Sequence, residues 1–391
     1  MKILFVWSTL LTSYGGSERV VSNVMDNLFK EGHEVKMVIF DPRREELEDE
    51  SEWVEPFSTH KDKLYLYFLE DKYTALLRLF VKSIFGINYS YGYDLIANSI
   101  KDFMPDLLIV ITNPLFISSA RKALRSTGAN SKIIYWDHLF LGLFSSIKYL
   151  SLKQRIETWL ASFPIKLKEA DGFLVISSGY RDKILSLNQR AKVYTIFNPL
   201  KSYGGHLVRR SQKSFFIYVG RLEDRQKNIS FLLKGMSHLL DKEWRLKIIG
   251  KGPHEMMLKN LSRKLNLSNR IEWAGFKEDP YEGIKEATAL LLTSRFEGFG
   301  MVLVEANQRG IPVISSNCQA GPSDIVIPTK NGYLYQEGNM DSFVKIMRDV
   351  IDNKLTFDTP ENIAKTAERF SENKVMKRFI AALNEIRNAS K

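Results

Sequence analysis

Residues 2–40 read KILFVWSTLLTSYGGSERVVSNVMDNLFKEGHEVKMVIF. KILFVW (2–7) is short and almost wholly apolar, the pattern of a central parallel strand. A loop containing Gly15-Gly16 follows. Val20, Val21, Val24, Leu28 and Phe29 then recur at helical spacing, and Gly32 stands where a helix end takes a left-handed residue. EVKMVIF (34–40) is a second strand, ended by Asp41-Pro42. Strand, glycine loop, helix, strand is one βαβ unit. The opening has a passing likeness to a secretion signal. Its apolar stretch is short, turns polar at Ser8 and has no small-residue cleavage site after it, so it is read as a buried strand.

The same scheme continues outward. In the first half, LLIVIT (107–112), KIIYW (132–136), GFLVIS (172–177) and KVYTIF (192–197) read as strands; residues 60–100 and 139–168 read as helical, with many aromatics. The second half is plainer: SFFIYVG (214–220), RLKIIG (245–250), RIEWAG (270–275), ALLLTS (289–294), IPVISS (311–316) and GYLYQ (332–336) are strands separated by helical patterns. Such alternation in both halves predicts an α/β protein with two Rossmann-like, doubly wound parallel-sheet domains. The boundary is placed near 198–212, giving domains of 1–200 and 201–372. The last helix, about 373–388, is amphipathic through Val375, Phe379, Leu383 and Ile386.

Composition narrows the function classes. The chain has 391 residues, 44% hydrophobic and 26% charged, which excludes disorder, collagen and disulfide scaffolds. Its single cysteine, Cys318, forms no intrachain disulfide and suits a reducing, cytoplasmic compartment. No run of 18 apolar residues marks a membrane-spanning helix. The net charge is +11, with 25 basic and 23 acidic residues in positions 1–200 against 31 and 22 in the rest. An acidic cluster, Glu45 to Glu55, offsets the basic residues of the first half. The balance fits an anionic partner or simply a solvated basic surface.

Ligands of open parallel sheets bind at the carboxyl ends of the strands. Gly15-Gly16 lets backbone amides approach a phosphate at a helix start, or is a plain glycine turn; no G-x-G-x-x-G is present. Gly220-Arg221 and Lys227-Asn228 place two cations six residues apart on one loop, suited to a diphosphate or to solvent, and Arg225 can join them. Gly250-Lys251-Gly252-Pro253 is half a nucleotide fingerprint, and on its own reads as a strand-to-helix turn. The strongest signal is EGFGMVLVE (297–305): two carboxylates, Glu297 in a loop and Glu305 inside the helix that Gly298 and Gly300 open. Backbone amides at 300–302 would face an anion, and the carboxylates would accept hydrogen bonds from two sets of sugar hydroxyls. Asp137-His138 follows a strand, and a lone histidine there is either a ligand contact or a hydrogen-bonded loop residue. No metal-ligand set or G-x-S-x-G stands out.

At Glu297–Glu305 the sequence resembles the retaining glycosyltransferases of family 4, which have the GT-B fold. The likeness is dense over 214–340: VGRL (219–222), Lys227-Asn228, IIGKGP (248–253), SRFEGFGMVLVEA (294–306), GIPVISSNC (310–318) and the Gly-Pro-Ser-Asp of 321–324. It is looser in the first half, resting on GGSERV (15–20), Trp136-Asp137-His138 and Phe197-Asn198-Pro199. Within the family the chain most resembles lipopolysaccharide α-galactosyltransferases and related capsule or surface-glycan enzymes.

The resemblance implies GT-B architecture: two Rossmann-like domains facing across a cleft, the first for the acceptor and the second for the nucleotide sugar. The C-terminal helix (373–391) would pack back on the first. Arg221 and Lys227 would grip the donor diphosphate and stabilise its departing charge. Glu305 would bind the ribose hydroxyls, and Glu297 the transferred sugar. Phe299, Gly300, Met301 and Val302 would present amides to sugar or phosphate. Gly15, Gly16, Gly220, Asn228 and Gly250 would complete donor binding, with His138 beside the donor sugar. No metal or cofactor is expected, because a helix start with Arg221 and Lys227 can neutralise the leaving group. The donor would be a UDP-hexose, with UDP-galactose favoured, and the acceptor a surface glycan, lipid-linked or lipopolysaccharide.

Residues 121–192 carry 13 basic and 5 acidic residues with Phe140, Phe144, Tyr149, Leu150, Trp159 and Phe163 between them. Tyr65, Tyr67, Phe68, Tyr73, Phe80 and Phe85 form a similar earlier stretch. Such helices lie on an anionic leaflet or pack on the sheet; peripheral association with the inner face of the cell membrane is the favoured expectation. Two rival classes have weaker support. A dehydrogenase would use Asp41 at the end of the second strand but lacks the glycine fingerprint. A basic nucleic-acid binder lacks any recognised module, so no nucleic-acid partner is expected.

Overall fold

The structure is a computed structural model that describes residues 1–8, 16–41, 64–68, 92–111, 115–138, 166–202 and 204–389. It divides into two compact units, Met1–Ile176 with Tyr180–Pro199 and Val375–Lys391, and Ser177–Gly179 with Leu200–Lys374.

The first unit begins β1 (Lys2–Ser8), α1 (Gly16–Lys30), β2 (Glu34–Asp41) and β3 (Leu64–Phe68). It continues α2 (Tyr93–Phe103), β4 (Leu107–Ile111), α3 (Leu115–Thr127), β5 (Lys132–Asp137), β6 (Gly172–Val175), α4 (Ser178–Leu187) and β7 (Val193–Thr195). The strands form one sheet in the order β3-β2-β1-β4-β5-β6-β7, and every pair is parallel. Ile3 to Val6 and Leu107 to Ile111 are fully buried. That is why their sequences are unbroken apolar runs rather than alternating ones. Helices cover the sheet through periodic stripes such as Val21, Val24, Met25 and Leu28 of α1.

One sequence expectation is corrected here. Residues 60–100 read as helical, yet Leu64–Phe68 is a strand paired in parallel with β2. LYLYF is aromatic-rich and too short to show a period of 3.6, and such residues fit a pleated edge. A helix does cover Tyr93–Phe103, and residues 69–91 lie outside the described residues.

The second unit runs β8 (Arg209–Arg210), β9 (Phe215–Val219), α5 (Asp224–Lys227), α6 (Ile229–Ser237), β10 (Arg245–Ile249), α7 (Glu255–Lys264) and β11 (Ile271–Gly275). Then come β12 (Glu286–Ala287), β13 (Ala289–Leu292), α8 (Met301–Gln308), β14 (Val313–Asn317), α9 (Pro322–Ile325), β15 (Gly332–Gln336), α10 (Met340–Ile351) and α11 (Pro360–Ala367). Six strands form a sheet in the order β11-β10-β9-β13-β14-β15, while β8 and β12 pair separately. Residues 200–211 are fastened to this unit: Leu200 N–H bonds the Phe370 carbonyl at 2.8 Å, and Val208 N–H the Arg309 carbonyl at 2.8 Å.

The last helix, α12 (Glu372–Asn388), belongs to the first unit from Val375 onward. Val375, Met376, Phe379, Ala382, Leu383 and Ile386 are buried in the same cluster as β1, β2 and β4. Phe379 meets Trp136 edge-on at 5.1 Å. The helix docks because its apolar stripe at i, i+4, i+8 and i+11 finds no other cover, and each large side chain buried stabilises by about 1.5–3 kcal/mol.

Candidate functional site

In the second sheet the chain runs outward from β9 through β10 to β11, then returns to β9's other side as β13. The border between β9 and β13 is therefore the topological switch point, the place where open parallel sheets bind ligands at their carboxyl ends. The loop after β9 carries Gly220, Arg221 and Lys227; the loop after β13 carries Glu297.

These loops meet. Lys227 Nζ lies 2.7 Å from Glu297 Oε1. Ser294, fully buried, donates its hydroxyl to the same oxygen at 2.5 Å. Ser316 at the end of β14 donates to the Ser294 carbonyl at 2.6 Å. Glu297 is thus held by two donors on one oxygen, with a third bond fixing the residue that supplies one of them. Neither serine was singled out in the sequence; a short hydroxyl residue at a strand's carboxyl end was the only signal.

Lys227 ends the one-turn helix α5. Glu223 caps its start, accepting from the N–H groups of Arg225 and Gln226 at 3.1 and 2.8 Å. Asn228 follows in the left-handed region, φ 52°, and so breaks the helix before α6 resumes. An asparagine tolerates this conformation better than most residues. Thr293 Oγ1 lies 3.1 Å from the carbonyls of both Lys227 and Asn228. Asn228 is buried, so its visible part is in the backbone turn behind Lys227.

Arg221 is exposed on the same loop. Beneath it the buried Tyr218 phenol donates to the Arg221 carbonyl at 3.3 Å. Burial, reinforced by Glu297, pushes that phenol well up, so it stays a neutral donor. The loops after β9 and β10 are zipped together: Gly220 N–H to Ile249 O at 3.0 Å, Leu222 N–H to Lys251 O at 3.0 Å. At Gly250, φ 146°, a Cβ would stand 1.9 Å from the Gly220 carbonyl oxygen, so only glycine permits this approach.

Gly300, φ 93°, caps the start of α8. The first amides of a helix have no partner within it, so those at Met301 and Val302 are oriented for an acceptor beyond the helix start. Both residues are half-buried. Phe299 is buried, its ring 5.4 Å from Phe370. Glu305 lies half-buried on the second turn. Its neighbour Tyr281 donates its hydroxyl to the Val302 carbonyl at 3.1 Å, and burial, with Glu305 adding, pushes that phenol well up. Arg309 stacks 4.2 Å over Tyr281 and donates to the Glu305 carbonyl at 3.1 Å. Tyr281 and Arg309 were not foreseen, because nothing local links them to α8. Cys318 is buried and its thiol is pushed up to about 12 by burial, so it is no nucleophile at neutral pH.

Three expected site residues fall in the first unit's sequence, two of them among the described residues. Gly16 is the first residue of α1, and Gly15 lies outside the described residues. His138 directly follows β5 and is buried, its ring 4.4 Å from that of Trp136. Its Nε2 has no hydrogen-bond partner among the described residues. Burial lowers the imidazole to about 3, so it is neutral at physiological pH. Among the described residues no three His, Cys, Asp or Glu side chains are grouped to hold a metal ion. The acidic cluster at 45–55, Tyr73, Phe80, Phe85 and the aromatic residues of 140–163 lie outside the described residues.

The chain is similar to known proteins in sequence and in fold. Residues 206–387 match the family model for glycosyl transferases group 1. The chain is 32% identical over 391 residues to the lipopolysaccharide 1,6-galactosyltransferase of Salmonella typhimurium, covering 98% of each chain. It is 28% identical to the Escherichia coli enzyme of the same description, covering 97% of each. Among solved structures, the apo lipopolysaccharide outer core galactosyltransferase WaaB superposes with a TM-score of 0.79 at 29% identity, over 98% of this chain and 99% of that one. HepE of Anabaena, in complex with UDP and glucose, shares the fold with a TM-score of 0.67 at 18% identity, over 98% and 100%.

Proposed function

The chain belongs to the group 1 glycosyltransferases, with GT-B fold, and from that premise we propose that it is a retaining, metal-independent hexosyltransferase of family 4. The donor is UDP-galactose and the acceptor a hydroxyl of lipopolysaccharide or a lipid-linked glycan. The convergence of Lys227 and Glu297 at the switch point carries this reading. The sugar and acceptor rest on the full-length relatives that act in lipopolysaccharide galactosylation.

In this reading Arg221 and Lys227 bind the donor diphosphate, and the amides of Gly300 to Val302 add dipoles aimed at sugar or phosphate. Glu305 takes the ribose hydroxyls and Glu297 the transferred hexose. Gly220, Asn228 and Gly250 shape the loops that receive the nucleotide. Gly15, Gly16 and His138 take the roles that the resemblance implies: approach to the diphosphate and contact with the donor sugar. The neutral His138 serves as a hydrogen-bonding group rather than a charge.

The reaction breaks the bond between the anomeric carbon and the phosphate oxygen, and forms one to the acceptor oxygen on the same face. The acceptor's proton passes to the leaving phosphate. Each charged contact to that phosphate is worth about 2.7–4 kcal/mol of barrier, by analogy with one oxyanion donor.

No helix among the described residues is long and apolar enough to cross a membrane. A lipid-linked acceptor places the enzyme on the inner face of the cell membrane, held peripherally.

The test is incubation of the pure protein with a panel of nucleotide sugars in EDTA, with and without a lipopolysaccharide acceptor, reading release of nucleotide diphosphate. Transfer from UDP-galactose alone, with the anomeric configuration kept, is expected. Loss of turnover in EDTA, an inverted product or a different donor would each remove that part of the reading.

A further inference from the structure

The loop after β13 does more than carry Glu297. Arg295 reaches back over α5: its Nη1 donates to the Asp224 carbonyl at 2.6 Å and to the Arg225 carbonyl at 3.1 Å. Its backbone N–H donates to the Gln226 carbonyl at 2.8 Å. Gln226 returns a bond from Nε2 to the Phe296 carbonyl at 3.2 Å. The two segments are therefore stitched in both directions, immediately beside the Lys227–Glu297 pair.

A helix of four residues has too few bonds to offset its nucleation cost, so α5 exists only because something outside holds it. The Asp224 carbonyl already accepts from Asn228 N–H at 3.0 Å, but those of Arg225 and Gln226 fall in the last turn, where the helix itself supplies no donor. Arg295 supplies donors to them, and a cation at a helix carboxyl end also suits the dipole. Both side-chain bonds leave from Nη1, one nitrogen with two N–H groups on a guanidinium that stays charged at any physiological pH.

We propose that Arg295 is a positioning residue for Lys227: by holding α5 against the Glu297 loop, it sets where the ammonium meets the donor's diphosphate. This rests on Lys227 being a diphosphate ligand, as in the proposed function. Arg295 acts through Lys227 and does not itself bind the anion.

The test is a double-mutant cycle read by calorimetric titration with UDP, on the full chain: wild type, R295M, R295K, K227M and K227M/R295M, with melting temperatures alongside. R295M should weaken UDP binding about tenfold and R295K less, while the double variant binds within about twofold of K227M, since nothing remains to be positioned. Additive losses would overturn the proposal, because Arg295 would then act independently of Lys227. So would R295M binding UDP as tightly as the wild type. Should R295M fail to fold, the same cycle with R295K decides. A wild type that binds no UDP would remove the functional reading and this proposal together, whereas additivity removes this proposal alone.

Discussion

Lys227 and Glu297, 70 positions apart in sequence, form an ion pair at 2.7 Å in which the lysine side chain is 18% and the glutamate 7% exposed. A pair so nearly dry is stable only when both charges are present and further bonded, as Ser294 bonds Glu297 here. The carboxylate and the donor's diphosphate are both anions suited to Lys227. In the proposed function, where Lys227 also meets that diphosphate, the pair would link donor binding to the group that touches the transferred sugar.

Glu297→Gln keeps the shape and one acceptor oxygen for Lys227 and Ser294 but removes the charge. Transfer should fall at least about 100-fold, as for loss of one transition-state contact. UDP affinity should hold or rise, because Lys227 loses its competing anion. Donor turnover and calorimetric titration with UDP check both. Wild-type turnover would take Glu297 out of the reaction.

Lys227→Ala should weaken UDP about tenfold to a hundredfold, the range of a charge-assisted hydrogen bond. It should also destabilise the fold, since Glu297 is left buried without its cation. Added UDP should restore less of the melting temperature than it does for wild type. Unchanged affinity would show that the diphosphate is held elsewhere.

His138 makes a prediction about acid. Its folded value, about 3, lies below the ordinary 6.5 because burial disfavours the imidazolium. Its contribution to stability is full above pH 6.5 and is lost as pH falls toward 3, because the unfolded chain takes up a proton the folded chain refuses. Between pH 7 and pH 5 this loss amounts to about 2 kcal/mol. His138→Phe should remove that part of the acid sensitivity, measured by denaturant titration at the two pH values. An equal acid loss in the variant would mean that His138 is not buried neutral.

Gly250→Ala would place a methyl against the Gly220 carbonyl oxygen, a backbone atom that cannot rotate away. A loss of about 1–3 kcal/mol is expected, seen as a lower melting temperature. UDP binding should weaken as well, because the displaced loop carries Arg221. A variant with wild-type stability and affinity would show that the two loops are free to separate.

Much of the fold was legible. Residues 3–7, 107–111 and 289–294 are buried on both faces, and a strand so placed needs an unbroken apolar run. LYLYF was misread because five residues are too few to distinguish a period of 2 from one of 3.6. Of the site, the cationic pair and the two acids were visible as residue types at strand ends. Thr293, Arg295 and Tyr281 were not, because each acts on a partner far along the chain: Thr293 on Lys227, Tyr281 on Val302. Ser294 bonds Glu297 only three residues on, but a serine at a strand end carries no signal of that bond.

What the sequence determined by itself was local: the alternation of strand and helix, the glycines that let loops turn, and the amphipathic stripe of the last helix. Side-chain periodicity and backbone sterics act between near neighbours, so they are written in order along the chain. The tertiary structure alone decided that β13 returns beside β9, and hence that Glu297 meets Lys227. It also decided that the final helix completes the first core. Strand order is a property of the whole sheet, settled by which buried faces fit together. No stretch of sequence read alone states which loop will lie beside which.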